Sequence, residues 1–196
     1  MASAIDKKAS DEEISENETF KTIKAIFSSW YDANRCLPML RVLFRDHVEP
    51  PVLKNITLTI KILDQLIKGG HLSSTNLSII CDTIRVTKHF GLQAKLEKLN
   101  PIFQGLKEGT ITKFTPHRQN LMAFGMILND ANVIRIDGMY NQPLKDYDNA
   151  WEMITDLEDE GEIQEGNMES LKEKLRTLGL RLALGKLTKA IEAPRT

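Results

Sequence analysis

Cysteine is scarce. There are two in 196 residues, Cys36 and Cys81, far apart and without CxxC spacing. That excludes a disulfide scaffold and suits a reduced, intracellular protein. The N-terminal stretch MASAIDKKASDEEISENE has no apolar core of a secretory signal, and no apolar run approaches the length of a membrane span. Cytoplasmic location is the resulting expectation. A basic excess is also missing. The net charge is −1 with 27% charged residues, so neither nucleic acid nor a membrane surface is an expected partner. Long alternating runs of the strand type are absent, apart from a brief one in VLKNITLTIKIL.

The motifs of chemistry are missing too. There is no Walker A loop, no GxGxxG, no HExxH and no His pair at i, i+4 spacing. A nucleophilic thiol needs a base and an oxyanion site around it, and neither cysteine has a recognisable flanking signature. Cys81 falls on the apolar face of an expected helix and reads as packing. The acidic run Asp156, Glu158, Asp159, Glu160, Glu162 and Glu165 lacks the alternating ligands and central Gly of an EF-hand loop. It reads as a solvated helix end. No catalytic residue, cofactor or metal is expected, and the chain is read as a non-enzyme.

What is present is an internal repeat. The stretch Ile62 to Leu96 overlays Met153 to Leu187 with a shift of 91 residues and no gap. Leu66, Gly70, Asn76, Arg85, Lys95 and Leu96 fall on Leu157, Gly161, Asn167, Arg176, Lys186 and Leu187. Apolar falls on apolar at Leu72/Ile163, Leu77/Met168, Ile80/Leu171 and Ile84/Leu175. Two copies of one small helical domain follow.

Taken in order, residues 1–17 are polar and acidic and read as a disordered tail. Ser10 there precedes Asp11, Glu12 and Glu13, a pattern suited to an acidophilic kinase. A first copy is expected over 18–100. Phe20, Ile23, Ile26, Phe27 and Trp30 recur at helical spacing. A second helix carries Leu37, Leu40, Leu43, Phe44 and Val48 and stops before Pro50. Gly69-Gly70 is a helix stop, and Ser73 to Asn76 offers caps for the next helix. Residues 101–115 are too apolar for a free linker and read as a packed connector. The second copy occupies 116–192, with a rudimentary third helix near Gly138 and Pro143, and 193–196 is a frayed tail. The architecture expected is all-α, about twelve short helices in two six-helix antiparallel bundles packed in tandem.

The stretches LRVLFRDHVEPPVLKNI and KGGHLSSTNLSIICDTIRVTKHFGLQAKLEKL resemble a death effector domain. Arg45-Asp46 match that family's basic-acidic pair after the second helix. Gly70, Leu72, Ser73, Asn76 and Leu77 match its turn of the type G-x-L-S-x-x-N-L. Gly161, Ile163, Asn167 and Met168 match it loosely in the second copy. The whole is similar to tandem death effector proteins, that is, initiator-caspase prodomains and FLICE-like inhibitory proteins. The resemblance implies the death fold and homotypic binding to the Fas-associated death-domain adaptor and initiator caspases, with self-association as a further possibility. It implies an exposed apolar patch at Val42-Leu43 and interaction residues at Arg45, Asp46 and His89. The family's R-x-D-L motif is lost twice, reading His89-Phe90-Gly91-Leu92 and Leu180-Arg181-Leu182-Ala183. In the second copy Arg135 falls in or near the apolar patch. With no protease domain after the second repeat, the expected role is a regulator of apoptotic signalling, most simply an inhibitor. The alternatives are the prodomain of a longer caspase and a helical nuclear, nucleic-acid-binding scaffold.

Overall fold

The computed structural model describes residues 2–189, with side chains from Ser15 onward; the expected tail at 193–196 lies outside the described residues. The regular structure is helical. In chain order the α-helices are α1 (Ala2–Ala33), α2 (Leu37–Leu43), α3 (Pro50–Asn55), α4 (Thr59–Lys68), α5 (Ser78–Thr87) and α6 (Phe90–Leu96). They continue with α7 (Pro116–Gly125), α8 (Asp130–Tyr140), α9 (Ala150–Asp159), α10 (Glu169–Thr177) and α11 (Arg181–Thr188). Two 3-10 turns, Pro101–Phe103 and Leu106–Glu108, lie between α6 and α7. Among the described residues there is no strand, only an isolated bridge between Gln164 and Asn167. No helix of theirs is long and apolar enough to cross a membrane. The helical backbone of α1 begins at Ala2, inside the segment whose composition reads as a disordered tail.

The chain divides into two compact units. The first runs to Leu37 and resumes from Phe44 to Lys113; the second holds Pro38–Leu43 and the residues from Phe114 on. The expected connector at 101–115 therefore divides at Lys113. In the first unit α1 turns Ile23, Phe27 and Tyr31 inward at four-residue spacing, where they meet a core that includes Ile62, Leu63, Leu66, Ile84, Leu92 and Leu96. Each such aliphatic side chain taken out of water contributes about 1.5–3 kcal/mol. The β-branched stretch after Pro51 forms no strand: it is helical to Asn55 and again from Thr59, with 56–58 as the break between α3 and α4. Asp32 on α1 accepts the Thr59 N–H at 3.0 Å and the Thr59 hydroxyl at 2.6 Å, which satisfies the start of α4 from outside that helix. Phe103 and Leu106 bury fully, which explains why this stretch is too apolar for a free linker.

In the second unit Leu121, Phe124, Val133, Ile136, Met153, Leu157, Leu171 and Leu175 are buried. Gly125, the last residue of α7, leaves room for a ring: a Cβ there would lie 2.3 Å from Trp151. Between α8 and α9 residues 141–149 form no helix. Eleven α-helices are thus described where the sequence suggests about twelve. Asp137, buried on α8, organises the loop instead. Its carboxylate accepts the backbone N–H groups of Lys145 and Asp146, each at 3.0 Å, and the Asn141 amide at 2.8 Å.

The repeat is present in the backbone, bond for bond. α4 ends with Gly70 N–H donating to Ile67 O and His71 N–H to Leu66 O, and α9 ends with Gly161 to Glu158 O and Glu162 to Leu157 O. Both are Schellman motifs. Ser73 and Asn76 then exchange a pair of backbone hydrogen bonds, as do Gln164 and Asn167. His89 and Leu180, the residues before α6 and α11, share one conformation, with φ −79°, ψ 51° and φ −83°, ψ 64°.

Candidate interaction surface

The five residues expected to bind partners fall in different surroundings. Val42 and Leu43 are buried, with 1% and 0% exposure, so the exposed apolar patch expected there does not exist on the folded chain. The reason lies in the helix. In LPMLRVL only Arg41 is polar, and Met39, Leu40, Val42 and Leu43 share one arc of α2 wide enough to hide all four. Neighbours 100° apart on a helix need not face opposite ways. Arg45, half-buried, and Asp46, exposed, sit in the turn after α2. His89, half-buried, stands before α6. Val42 and Leu43 belong to the second unit, and Arg45, Asp46 and His89 to the first.

The second unit exposes Leu182 on α11 and Ile127 after α7, and a cluster of exposed apolar residues on α8 and the loop after it. Val133, Ile136 and Asp137 face inward, which leaves Ile134 on the outer side at 52% exposure. Gly138 follows one turn later on the same stripe. With no side chain there, Leu144 folds over the gap. Its Cδ2 lies 3.5 Å from where a Gly138 Cβ would be, and Leu144 stays 41% exposed. Met139 is exposed beside them. Arg135 does not interrupt this surface: its Nη2 donates to the Leu178 carbonyl at 2.5 Å. Lys145 is likewise engaged, with Asp156 at 2.7 Å and Glu160 at 2.5 Å. Ile134, Gly138 and Leu144 thus form a small apolar patch whose neighbouring cations are turned to other partners. Sequence reasoning missed it because Leu144 lies in a loop and because Arg135 reads as a charge within the patch.

The acidic run after Asp156 is not a uniformly solvated helix end. Glu158 pairs with Arg118 of α7, whose Nη1 donates to both carboxylate oxygens at 2.9 and 3.0 Å, and both side chains are about 95% or more buried. Tyr147 donates to Asp156 at 2.5 Å; burial first, then this carboxylate, push its phenol well above the usual range. The first unit has its own buried carboxylate. Asp82 pairs with Arg85 at 2.6 Å and accepts the N–H groups of Thr112 and Lys113 at 2.7 and 2.9 Å. Arg85 Nε also donates to Leu106 O at 2.9 Å. A Cβ on Gly109 would come within 2.1 Å of this guanidinium, so the segment closes over Arg85 only because residue 109 is Gly.

His89 gathers the remaining polar groups of interest. Its Nδ1 accepts the indole N–H of Trp30 at 2.9 Å, and its Nε2 lies 3.8 Å from the Cys36 sulfur. The Tyr31 ring lies over the imidazole at 5.0 Å, and the Tyr31 hydroxyl bonds to Thr87 at 2.7 Å. An indole donates and never accepts, so the lone pair of Nδ1 is occupied. In this arrangement His89 has no free basic nitrogen for the Cys36 thiol, which burial holds above its ordinary pKa. Cys81 is buried, and burial pushes its thiol up to about 11. No protein-family model matches the chain, and no curated protein matches it.

Proposed function

We propose that this chain is a non-enzymatic interaction protein that binds death effector domains, of an adaptor or of initiator caspases, and thereby restrains apoptotic signalling. In this reading the first unit, with α1 and α3–α6, is one death-fold module and the second unit, with α7–α11 and Pro38–Leu43 of α2, is the other, and the loop at 141–149 stands in place of a third helix. The observation that carries the reading is the repeated turn. Gly70, Leu72, Ser73, Asn76 and Leu77 are the residues of the family resemblance, and they build a helix stop and a following turn whose backbone bonds recur 91 residues later.

The surface of the second unit supports the same reading. Ile134 and Leu144 over Gly138 give a helical module an exposed apolar patch apt for a contact of modest affinity. Two linked modules raise the effective concentration of the second contact once the first is made. A bound chain covers a surface that another death effector domain would use, so the expected effect is inhibition. Arg45 and Asp46 remain candidates for the polar rim of the first unit. Titration of the purified chain with isolated death effector domains tests the proposal.

A further inference from the structure

The contact between Trp30 and His89 has a property that ordinary core packing lacks: it exists in one protonation state only. With Nδ1 accepting from the indole at 2.9 Å, the neutral ring must carry its proton on Nε2, toward Cys36. A second proton has to go onto Nδ1. It would set two N–H groups against each other where a hydrogen bond stood.

The surroundings offer that extra charge nothing. From the α1 side His89 is faced by the Tyr31 ring at 5.0 Å and by the Cys36 sulfur at 3.8 Å. From the end of α5 come Thr87, engaged with Tyr31, and Lys88, the next residue in the chain. From α6 comes Lys95, whose Nζ stands 5.0 Å over the Trp30 ring. Among the described residues no carboxylate lies within ion-pair distance of His89. Burial accordingly lowers the pKa of His89.

The indole is seated as well as bonded. A Cβ on Gly91 would lie 2.9 Å from Trp30 Cη2, so the ring rests on the backbone of α6. Its other side opens on a groove lined by Ala25, Ile26, Ser29, Ala33 and Lys95. The hydrogen bond therefore ties a large apolar side chain of α1 to the residue that precedes α6.

We infer that Trp30 and His89 form a pH-sensitive latch, closed while the imidazole is neutral and opened by protonation of Nδ1, which frees the indole from α6. The sign follows from linkage. A histidine whose folded pKa lies below its unfolded value near 6.5 contributes its full stabilisation above that value. The contribution is lost as the pH falls from there through the folded pKa. The inference does not depend on the partner-binding proposal, since it concerns the free chain.

The test is ¹⁵N NMR of the whole wild-type chain between pH 8 and pH 5, with His89→Gln alongside. At pH 8 His89 shows a bare Nδ1 and a protonated Nε2. On acidification the Trp30 indole N–H resonance moves with the same midpoint as the His89 ring. The Gln side chain accepts from the indole but does not titrate, so in His89→Gln that resonance stays put over the same range. An Nδ1-protonated neutral tautomer at pH 8 overturns the inference. So does an indole signal that stays fixed in the wild type while His89 titrates. Failure of His89→Gln to fold leaves both wild-type readouts decisive.

Discussion

Gly70 and Gly161, separated by 91 residues, hold the same left-handed backbone, with φ of +73° and +74°, at the ends of α4 and α9. Neither has a neighbouring atom within 4 Å of where a Cβ would stand. Glycine is required at both places by the dihedral alone and not by crowding. Each is the C′ residue of its Schellman motif, and each allows the chain to reverse into the cap of the next helix.

Replacement of either glycine by alanine should therefore cost about 1–2 kcal/mol, the penalty of a left-handed L-residue, without disturbing the contacts around it. Asn, which tolerates this conformation, should recover part of the loss. Urea unfolding of Gly70→Ala, Gly70→Asn and Gly161→Ala checks this. A loss beyond 3 kcal/mol would mean that crowding, absent here, governs the site.

The buried pair Arg118–Glu158 gives a second test. Glu158→Gln removes the carboxylate that the buried Arg118 guanidinium contacts, and the expected cost is about 3–5 kcal/mol. Arg118→Met/Glu158→Leu removes both charges and should be less harmful than either single change. A double-mutant cycle read by thermal unfolding decides. Additive single effects would contradict a direct pair.

Leu43 is fully buried, so it should behave as a core residue and not as a binding residue. Leu43→Ala is expected to destabilise by about 2–5 kcal/mol. Circular dichroism and thermal unfolding report this directly. A variant that keeps its melting temperature but loses partner binding would return Leu43 to the surface.

The elements that were legible in the sequence are those written locally. Gly70 and Gly161 mark helix stops, and Asn76 and Asn167 the turns that follow, although the residues capping α5 and α10 are Leu77 and Met168, without a side-chain cap bond. The helical class follows from the same periodicity. What was not legible depends on pairs distant in the chain. Glu158 looks solvated beside Asp156, Asp159 and Glu160, yet it is buried and paired with Arg118, 40 residues earlier. Asp82 finds its acceptor role at Thr112 and Lys113. Trp30 meets His89 across 59 residues. Val42 and Leu43 carry the right residue types for a patch, but exposure is decided by what packs on a helix, which spacing alone does not encode. The α8 patch was hidden for the complementary reason: a glycine and a loop leucine make it together.

The measurement that bears most directly on the account is a titration of the purified chain with an adaptor death effector domain and, separately, with an initiator-caspase tandem prodomain, followed by light scattering and pull-down. Native chain and Ile134→Asp/Leu144→Asp are compared at equal stability, confirmed by thermal unfolding. The account predicts that the native chain binds at least one of them and that the variant loses about tenfold or more in affinity, the scale of a single anchoring contact. A folded native chain that binds neither partner would contradict it, and so would a variant that binds as tightly as the native chain.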